Sequence, residues 1–379
     1  MIKLGGNCGL GGAIVACFAL LPICAQAQAA TPAGAAQTPG QSQNKIQVHT
    51  EEVIAPVTVL DKGGAPVLDL TQEDFHVFDN GVEQTIDHWD LGGDPLAVAL
   101  VVETSSRIKM MAPVIHDMGS IFTEAVMAFN GEAAVISYDS TVDVRQAFTE
   151  DHDAVQKAVE NLEFEAPEAA LYDGMEAAVQ LLKTRPKNHR RIMLVVGESQ
   201  DWSSTAKLGP VLREAEHEDI TIYAIGPSTT SADLRGGTKG LGNGMQLPPI
   251  RLGKSPPIST QRPHDDPLGR VYYDWITPAM WILTRGLNEI KNHQLEVAAT
   301  ATGGTHYRVF RERTIRTVLD DVGGQLHAQY TLTYKMPADE PADGPLNDQA
   351  NFHRILVTVS RDNLIVRARL GYFVTPAAN

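Results

Sequence analysis

The sequence predicts an α/β protein: a doubly wound, mostly parallel sheet with small antiparallel β regions at both ends. Three observations predict this fold class. Strand-like and helical segments alternate from Leu96 onward, which is typical of a parallel sheet with helices on both faces. The first of these strands, "LAVALVV", has no polar face, as expected for a strand that is covered on both sides. Short runs of alternating polar and apolar residues flank this region at each end.

Residues 1–29 are interpreted as a secretory signal peptide. Lys3 precedes the apolar run "GGAIVACFALLPIC", which leads into "AQAQAA", and this order is typical of an exported protein. The run is too short for a convincing membrane span, and an uncleaved anchor is the alternative. We expect a periplasmic or secreted protein without a stable membrane span after cleavage. Residues 30–45 are a low-complexity linker without a hydrophobic period.

Cysteine content and charge exclude several kinds of site. The 3 cysteines all lie within residues 1–29, so the cleaved protein would have no disulfide, no cysteine nucleophile and no thiolate metal site. The formal net charge is −15, and a surface of that sign repels nucleic acid and anionic lipid. It is compatible with cations or basic protein partners, and solubility is the simpler explanation.

Residues 46–92 are predicted to form an N-terminal β region. "IQVHTEEVIAPVTVLD" alternates apolar and polar residues, and "FHVFDNGVEQTIDHW" does so on either side of Asn80 and Gly81. An Asn-Gly pair between two alternating runs is a strong hairpin signal. We therefore expect a small antiparallel sheet here.

Residues 93–327 are predicted to form the α/β domain. Strands are expected at "LAVALVV", "EAAVISY", "RRIMLVV", "ITIYAIG" and "THYRV". The helices predicted between and after them span about 111–129, 151–162, 171–183, 205–217, 287–300 and 314–327. Residues 227–273 are rich in Gly and Pro and are interpreted as a loop insertion.

Residues 328–379 are predicted to form a C-terminal β region. "AQYTLTYKM", "FHRILVTVS" and "LIVRARLGYFV" read as three alternating strands. A small hairpin is not stable in water by itself, so the N-terminal β region could join these strands.

The candidate site residues stand where predicted strands end. Glu103, Ser105 and Arg107 follow "LAVALVV", Glu198 and Ser199 follow "RRIMLVV", and "EAALYDGM" opens a helix. Ligands of doubly wound sheets bind beyond the carboxyl ends of the strands. We therefore expect these three loops to converge on one place.

Six segments occur in a characteristic order between about residues 46 and 375: "VTVLDKGGAPVLDLTQEDFHVFDNGVEQTI", "VALVVETSS", "ALYDGM", "TGGTHY", "QYTLTY" and "RARLGYF". In this order they resemble the von Willebrand factor A (VWA) family, and in particular the VWFA-related proteins abundant in acidobacteria. The resemblance implies a VWA, Rossmann-like fold and a non-enzymatic, adhesion-type protein-interaction module. It also implies a metal-ion-dependent adhesion site, in which an open metal position accepts a carboxylate from the partner.

The metal-ligand pattern that the resemblance implies is altered in this chain. The pattern has Asp-x-Ser-x-Ser in the first loop, Thr in the second and Asp in the third. Glu103 stands at the first Asp, Ser105 matches and Arg107 replaces the second Ser. Ala169 replaces the Thr, and Glu198 replaces the third-loop Asp. The candidate metal ligands of this degenerate site are therefore Glu103, Ser105 and Glu198.

Arg107 leaves three interpretations open. Its guanidinium could replace the cation by pairing with Glu103, Glu198 or both, because an arginine fork fits carboxylates. It could instead point to solvent in a loop that has drifted. In the third interpretation a weak metal site survives, and Ca²⁺ would fit better than Mg²⁺ because its coordination is longer and looser.

Two other functions are also considered. A cell-envelope hydrolase would use Ser199 or Ser105 as its nucleophile, although Asp201 stands where a nucleophile elbow has its last glycine. A structural component of the envelope would use the fold for assembly alone. Failure to react with a fluorophosphonate probe would count against the hydrolase.

Overall fold

The structure is a computed structural model that describes residues 52–227, 294–309, 312–337 and 352–374. The predicted signal peptide and linker, and the predicted insertion from residue 228 onward, lie outside these ranges. The described strands are β1 Glu52–Leu60, β2 Phe75–Asp79, β3 Val82–Gln84, β4 Ile86–Leu91, β5 Leu96–Glu103, β6 Gly131–Tyr138, β7 Val142–Thr149, β8 Arg190–Val196, β9 Ile220–Pro227, β10 His306–Val309, β11 Tyr330–Lys335, β12 Phe352–Val359, β13 Ile365–Ala368 and β14 Gly371–Phe373. The described helices are α1 Ala112–Phe122, α2 His152–Glu160, α3 Leu171–Lys183, α4 Leu208–His217, α5 Gln294–Ala301 and α6 Glu312–His327.

The central sheet has six strands in the order β10-β9-β8-β5-β6-β7. All neighbours are parallel except β6 and β7. Apolar residues of α1, α2 and α6 pack on one face of this sheet, and those of α3, α4 and α5 pack on the other. Every residue of β5 is buried, because both faces of this central strand are covered. The predicted doubly wound, mostly parallel sheet is confirmed.

The strand β7 was not predicted from the sequence. It lies at the edge of the sheet and has no buried residue, and Val144 is half-exposed. Its antiparallel pairing with β6 contains register shifts. An edge strand with few buried side chains has little need of a strict apolar alternation, so its sequence carries a weak strand signal.

The N-terminal and C-terminal strands pair with each other in two four-stranded sheets. Their orders are β13-β1-β11-β4 and β14-β12-β2-β3, and all these pairs are antiparallel. One cluster of buried apolar residues is drawn from strands of both sheets. The predicted hairpin is confirmed: β2 pairs with β3, and Asn80 and Gly81 have φ of 49° and 86°, as a tight hairpin turn requires.

Two predicted helices differ from the structure by three or more residues at one end. The helix predicted at about 111–129 is α1 followed by a π-helical turn over Thr123–Met127, and Ala128 ends it with φ of 48°. The helix predicted at 205–217 begins only at Leu208. The helix predicted at 287–300 appears as α5, whose predicted start lies outside the described residues. No helix within the described ranges is both long enough and apolar enough to cross a membrane.

Candidate functional site

The three candidate loops meet at the carboxyl end of the central sheet, as expected. β5 and β8 are adjacent parallel strands, so the loops after them start side by side. The Glu198 amide donates a hydrogen bond to Glu103 Oε2 at 2.6 Å. The Trp202 amide donates to the carbonyl of Ala169 at 3.0 Å, which ties in the loop before α3.

Glu103 is fully buried, and both of its carboxylate oxygens accept hydrogen bonds. Oε1 accepts from the hydroxyl of Ser105, and Oε2 accepts from the amide of Glu198. Burial raises the pKa of Glu103 to about 7, while these two hydrogen bonds act in the opposite direction. Both Glu103 oxygens are therefore engaged within the protein.

Gly197, immediately before Glu198, is the point of closest packing in the site. A Cβ atom here would lie 2.8 Å from both Cβ and Oε2 of Glu103, and 2.3 Å from the hydroxyl of Tyr138. The Tyr138 hydroxyl is buried without a hydrogen-bond partner in the described structure. Burial raises the pKa of Tyr138 well above its usual value. The floor of the site is therefore a tightly packed layer of carboxyl, glycine and phenol.

Arg107 pairs with Glu198 and makes no hydrogen bond to Glu103 among the described contacts. Its Nε donates to Glu198 Oε2 at 2.9 Å. Its guanidinium carbon lies 3.9 Å from the centre of the Trp202 ring, which is a cation–π distance. The Arg107 side chain is 35% exposed and the Glu198 side chain 16%. Arg107 thus holds a fixed position against a partly desolvated carboxylate.

Ala169 brings no oxygen-bearing side chain to the site and is fully buried. The start of the neighbouring helix α3 is capped instead by the third loop. The Ser204 hydroxyl accepts from the amides of Tyr172 and Asp173 at 2.9 and 3.1 Å, and it donates to Asp201 at 2.5 Å. The third loop therefore satisfies two of the amide groups at this helix start.

This arrangement does not fit the implied divalent ion. Mg²⁺ needs near-octahedral oxygen ligands at about 2.1 Å, whereas the Glu103 oxygens are bonded to Ser105 and to an amide, and Glu198 faces a guanidinium. Ala169 supplies no side-chain ligand. Across residues 52–227, 294–309, 312–337 and 352–374, no group of three or more His, Cys, Asp or Glu side chains could hold a metal ion. The assignment of Glu103, Ser105 and Glu198 as ligands stays a prediction.

The two candidate serine nucleophiles are both hydrogen-bonded to carboxyl groups. The Ser199 hydroxyl donates to Glu296 and accepts from the Leu295 amide at 2.9 Å. His306 lies beyond Glu296, with its Nδ1 3.7 Å from Oε1 of that residue. A serine triad instead needs the imidazole between the serine and the acid. Ser105 is fully buried and donates to Glu103.

Three residues of this site were not among the sequence candidates: Tyr138, Trp202 and Glu296. Trp202 lies in the same loop as Glu198, but nothing in the spacing shows that its ring stacks on Arg107. Tyr138 ends β6 and reads as an ordinary apolar strand residue. Glu296 lies in the first turn of α5, far along the chain from Ser199. Only the folded arrangement brings these residues to the site.

One family model matches part of the chain. Residues 98–200 match the family model of the von Willebrand factor type A domain. No curated protein matches the chain.

Several solved structures are similar to the chain. One is an aerotolerance-related membrane protein from Bacteroides fragilis, with 11% identity, 61% of this chain and 98% of that chain covered, and a TM-score of 0.39. Another is the conserved hypothetical protein BatB from Bacteroides thetaiotaomicron, with 12% identity, 35% and 66% covered, and a TM-score of 0.29. The SpRpn10 VWA domain has 15% identity, 36% and 78% covered, and a TM-score of 0.29. Residues 98–200 are therefore similar to a von Willebrand factor type A domain, and they lie within a doubly wound, mostly parallel sheet flanked by helices.

Proposed function

We propose that this chain is an exported, non-enzymatic protein-interaction module whose VWA domain works without a divalent cation. In this proposal Arg107 supplies the positive charge at the metal position of a degenerate adhesion site. The ion pair between Arg107 Nε and Glu198 Oε2 at 2.9 Å carries the proposal. We also propose that the chain is one of the VWFA-related proteins of the acidobacterial type.

Three features support cation-independent binding. A guanidinium is always charged in a protein, so the site keeps its positive charge at any ion concentration. Arg107 is held on both sides, by Glu198 and by the Trp202 ring. The Glu103 carboxyl, which would have to ligate the ion, already accepts two hydrogen bonds.

Export to the periplasm or the exterior is proposed from the N-terminal sequence. Lys3, the apolar run after it and the small residues up to residue 29 have the order of a signal peptide. The acidic surface charge of the chain suits a protein partner better than nucleic acid.

We propose that the protein is not an enzyme, because of how the Ser199 and Ser105 hydroxyls are hydrogen-bonded. Each hydroxyl donates to a carboxyl group, and neither has a described contact with a histidine that could take its proton. We expect the purified protein to remain unlabelled by a fluorophosphonate probe. Labelling that is lost in Ser199→Ala or Ser105→Ala would instead establish a hydrolase.

The proposal is tested by thermal unfolding of residues 30–379 in EDTA and then in millimolar Mg²⁺, Mn²⁺ or Ca²⁺. An ion that binds only the folded state adds about 2.7 kcal/mol at a hundredfold excess over its dissociation constant. We expect no rise in the unfolding midpoint with any of the three ions. A rise that Glu103→Ala removes would mean that a functional metal site has survived.

A further inference from the structure

A cavity of about 600 Å³ lies at the amino edge of the central sheet, and we call it the amino-edge cavity. One wall consists of the first residues of two parallel strands, Arg190 and Arg191 in β8 and Thr221 in β9. Strands β1, β4 and β11 of the antiparallel sheet β13-β1-β11-β4 contribute to the other wall. Sites for small molecules usually have volumes of about 300 to 1,000 Å³. The amino-edge cavity is therefore large enough for a small-molecule ligand.

The strand β11 turns a polar face to the amino-edge cavity. Side chains point to opposite faces of a sheet in alternation along each strand. In the segment "QYTLTY" the tyrosines and the leucine belong to the buried apolar cluster that both antiparallel sheets share, whereas Thr331 and Thr333 line the cavity. Their directly paired neighbours in β4, Asp90 and His88, line it as well. This alternation therefore builds a core on one side of the sheet and a polar wall on the other.

Three threonine hydroxyl groups are available to a ligand in this cavity. Thr221, Thr331 and Thr333 are all buried and all line the cavity. Within the described parts of the chain, none of their hydroxyl groups makes a hydrogen bond. Buried hydroxyl groups normally have a hydrogen-bond partner, so the contents of the cavity have to provide one. A hydroxyl group both donates and accepts, and the three threonines therefore suit a ligand that does the same.

Charged groups of both signs line the cavity, and several of them are already paired within the protein. Arg191 Nη1 donates to Glu218 Oε2 at 2.8 Å, and Arg369 pairs with Asp219. Burial raises the pKa of Glu216 to about 8, which favours its neutral form. The other charged groups at the cavity are also of both signs: Lys187, Arg190, Glu52, Asp90 and Asp94. Because neither sign clearly prevails, a ligand with a net charge gains little from this lining.

The two walls of the cavity are joined by hydrogen bonds. Arg190 Nη1 donates to the carbonyl of Leu326 at 2.6 Å and to Gln329 Oε1 at 3.3 Å. These bonds connect the start of β8 with the chain that leads into β11. The cavity is therefore formed before a ligand arrives, and little ordering of the protein opposes binding.

We infer that the amino-edge cavity binds a neutral, hydroxyl-rich small molecule of the size of a mono- or disaccharide. Hydroxyl groups of the ligand exchange hydrogen bonds with Thr221, Thr331 and Thr333 and donate to the carboxylate of Asp90. The C–H face of the sugar ring packs on Phe373, which also lines the cavity. The site is independent of the proposed function, because it lies at the other edge of the central sheet. Since the ligand has no net charge, salt does not weaken its binding.

The inference is tested by saturation-transfer difference NMR of the purified protein with five saccharides: glucose, galactose, mannose, N-acetylglucosamine and maltose. Free lysine and succinate serve as charged comparison ligands of similar size. We expect at least one saccharide to bind with a dissociation constant of about 1 mM or below, at low and at high salt alike. Neither lysine nor succinate should bind at the same concentrations.

Variants of the protein assign the binding to this cavity. The double variant Thr331→Val, Thr333→Val keeps the shape of both side chains but removes both hydroxyl groups. It should bind the saccharide at least about tenfold more weakly, because two hydrogen bonds are lost. Thr358→Val is the matched control, since Thr358 lies in β12 and does not line the cavity, and its binding should be unchanged.

Thermal unfolding shows whether each variant is folded, and the two single variants replace the double variant if it is not. No saturation transfer to any of the five saccharides would overturn the inference. Undiminished binding by the threonine variants would also overturn it, as would binding of lysine or succinate alone.

Discussion

At the scale of single residues, Arg107 gives the site a positive charge that is part of the chain. The occupancy of a bound ion depends on its concentration, whereas a guanidinium stays charged in all ordinary conditions. The pair with Glu198 is partly exposed, so its contribution to stability is small, about 0.5 to 1 kcal/mol. The ion pair matters more because it places the positive charge and the N–H donors of Arg107 at the carboxyl edge of the sheet.

Restoring the family's ligand pattern should make the domain dependent on ions. The variant combines Glu103→Asp, Arg107→Ser, Ala169→Thr and Glu198→Asp. Shorter carboxylates, two hydroxyls and the loss of the guanidinium would open an oxygen-lined position suited to Mg²⁺. We expect its unfolding midpoint to rise in millimolar Mg²⁺ while the wild type does not respond.

A partial variant serves as the control for this experiment. It retains Arg107 but carries the other three substitutions. If the guanidinium takes the place of the cation, this variant should not respond to Mg²⁺. A response equal to that of the full variant would show that Arg107 does not block the ion.

The sequence located the charged residues of the site but not all of their contacts. Glu103, Arg107 and Glu198 could be placed at the carboxyl edge because strand ends are visible in the sequence. The choice between Glu103 and Glu198 as the partner of Arg107 could not be made. It depends on Glu103 turning inward to Ser105 and to an amide, which is a matter of packing.

At the scale of secondary-structure elements, the π-helical turn after α1 fixes how α6 packs. The turn over Thr123–Met127 brings the carbonyl of Ala125 against Gly323 in α6. A Cβ atom on Gly323 would lie 2.1 Å from that oxygen, whereas a Cβ atom on Gly324 would meet nothing within 4 Å. Two adjacent glycines of one helix therefore have opposite roles.

Alanine substitutions at these two glycines should change stability in opposite directions. Gly323→Ala forces a backbone contact apart and should destabilise the fold by about 1 to 3 kcal/mol. Gly324→Ala fills open space in a helix and should stabilise it by about 0.5 to 1 kcal/mol. Urea unfolding of the two variants measures both effects. Similar changes in the two variants would contradict the packing of α6 on this turn.

Secondary-structure elements were predictable from the sequence where neighbouring residues alone determine the backbone conformation. The Asn80–Gly81 hairpin follows from turn chemistry alone. The start of α4 was missed because the amides of Thr205 and Ala206 donate to Asp173, at 3.1 and 2.7 Å, in place of a helical turn. That contact joins α3 to the third loop and leaves no periodic signal in the sequence.

At the scale of the whole molecule, a buried charge cluster connects the C-terminal strands to α4. Arg369, between β13 and β14, is 6% exposed and pairs with Asp219. Glu216 in α4 is also buried, and one of its carboxyl oxygens has no hydrogen-bond partner in the described structure. Burial raises the pKa of Glu216 to about 8, while the charge of Arg369 acts in the opposite direction. Burial therefore favours the neutral form of this carboxyl group in the folded protein.

Stability should fall as the pH rises toward 8, because the Glu216 carboxyl group ionises readily in the unfolded chain but keeps its proton in the folded protein. Its folded pKa of about 8 is above the ordinary value of 4.5, so the folded state binds more protons between these two values. The loss is about 1.4 kcal/mol per pH unit in that window. Relative to Glu216→Gln, the wild type should lose stability from pH 6 to pH 8 and then level off.

Chemical denaturation of the two proteins at each pH checks this prediction. Glu163→Gln, at an exposed position, is the matched control and should run parallel to the wild type. Parallel profiles for the wild type and Glu216→Gln would contradict a neutral buried carboxyl at this position.

The pairing of the N-terminal strands with the C-terminal strands was only partly predictable from the sequence. Alternating runs near Glu52 and near Tyr330 showed that strands exist, and their small number suggested that they need partners. The division into two sheets was not visible in the sequence. It depends on the register of β1 with β11 and of β2 with β12, contacts between residues more than 250 positions apart.

A double-mutant cycle on Arg107 and Glu198 measures directly whether Arg107 has taken the place of the cation. Equilibrium unfolding is measured for the wild type, Arg107→Ala, Glu198→Gln and the double variant, in EDTA and again in millimolar Mg²⁺. If Arg107 has taken the place of the cation, the coupling energy is about 0.5 to 1 kcal/mol in both conditions. Zero coupling in EDTA, together with Mg²⁺-dependent stabilisation of the wild type, would show that the site uses an ion and not Arg107.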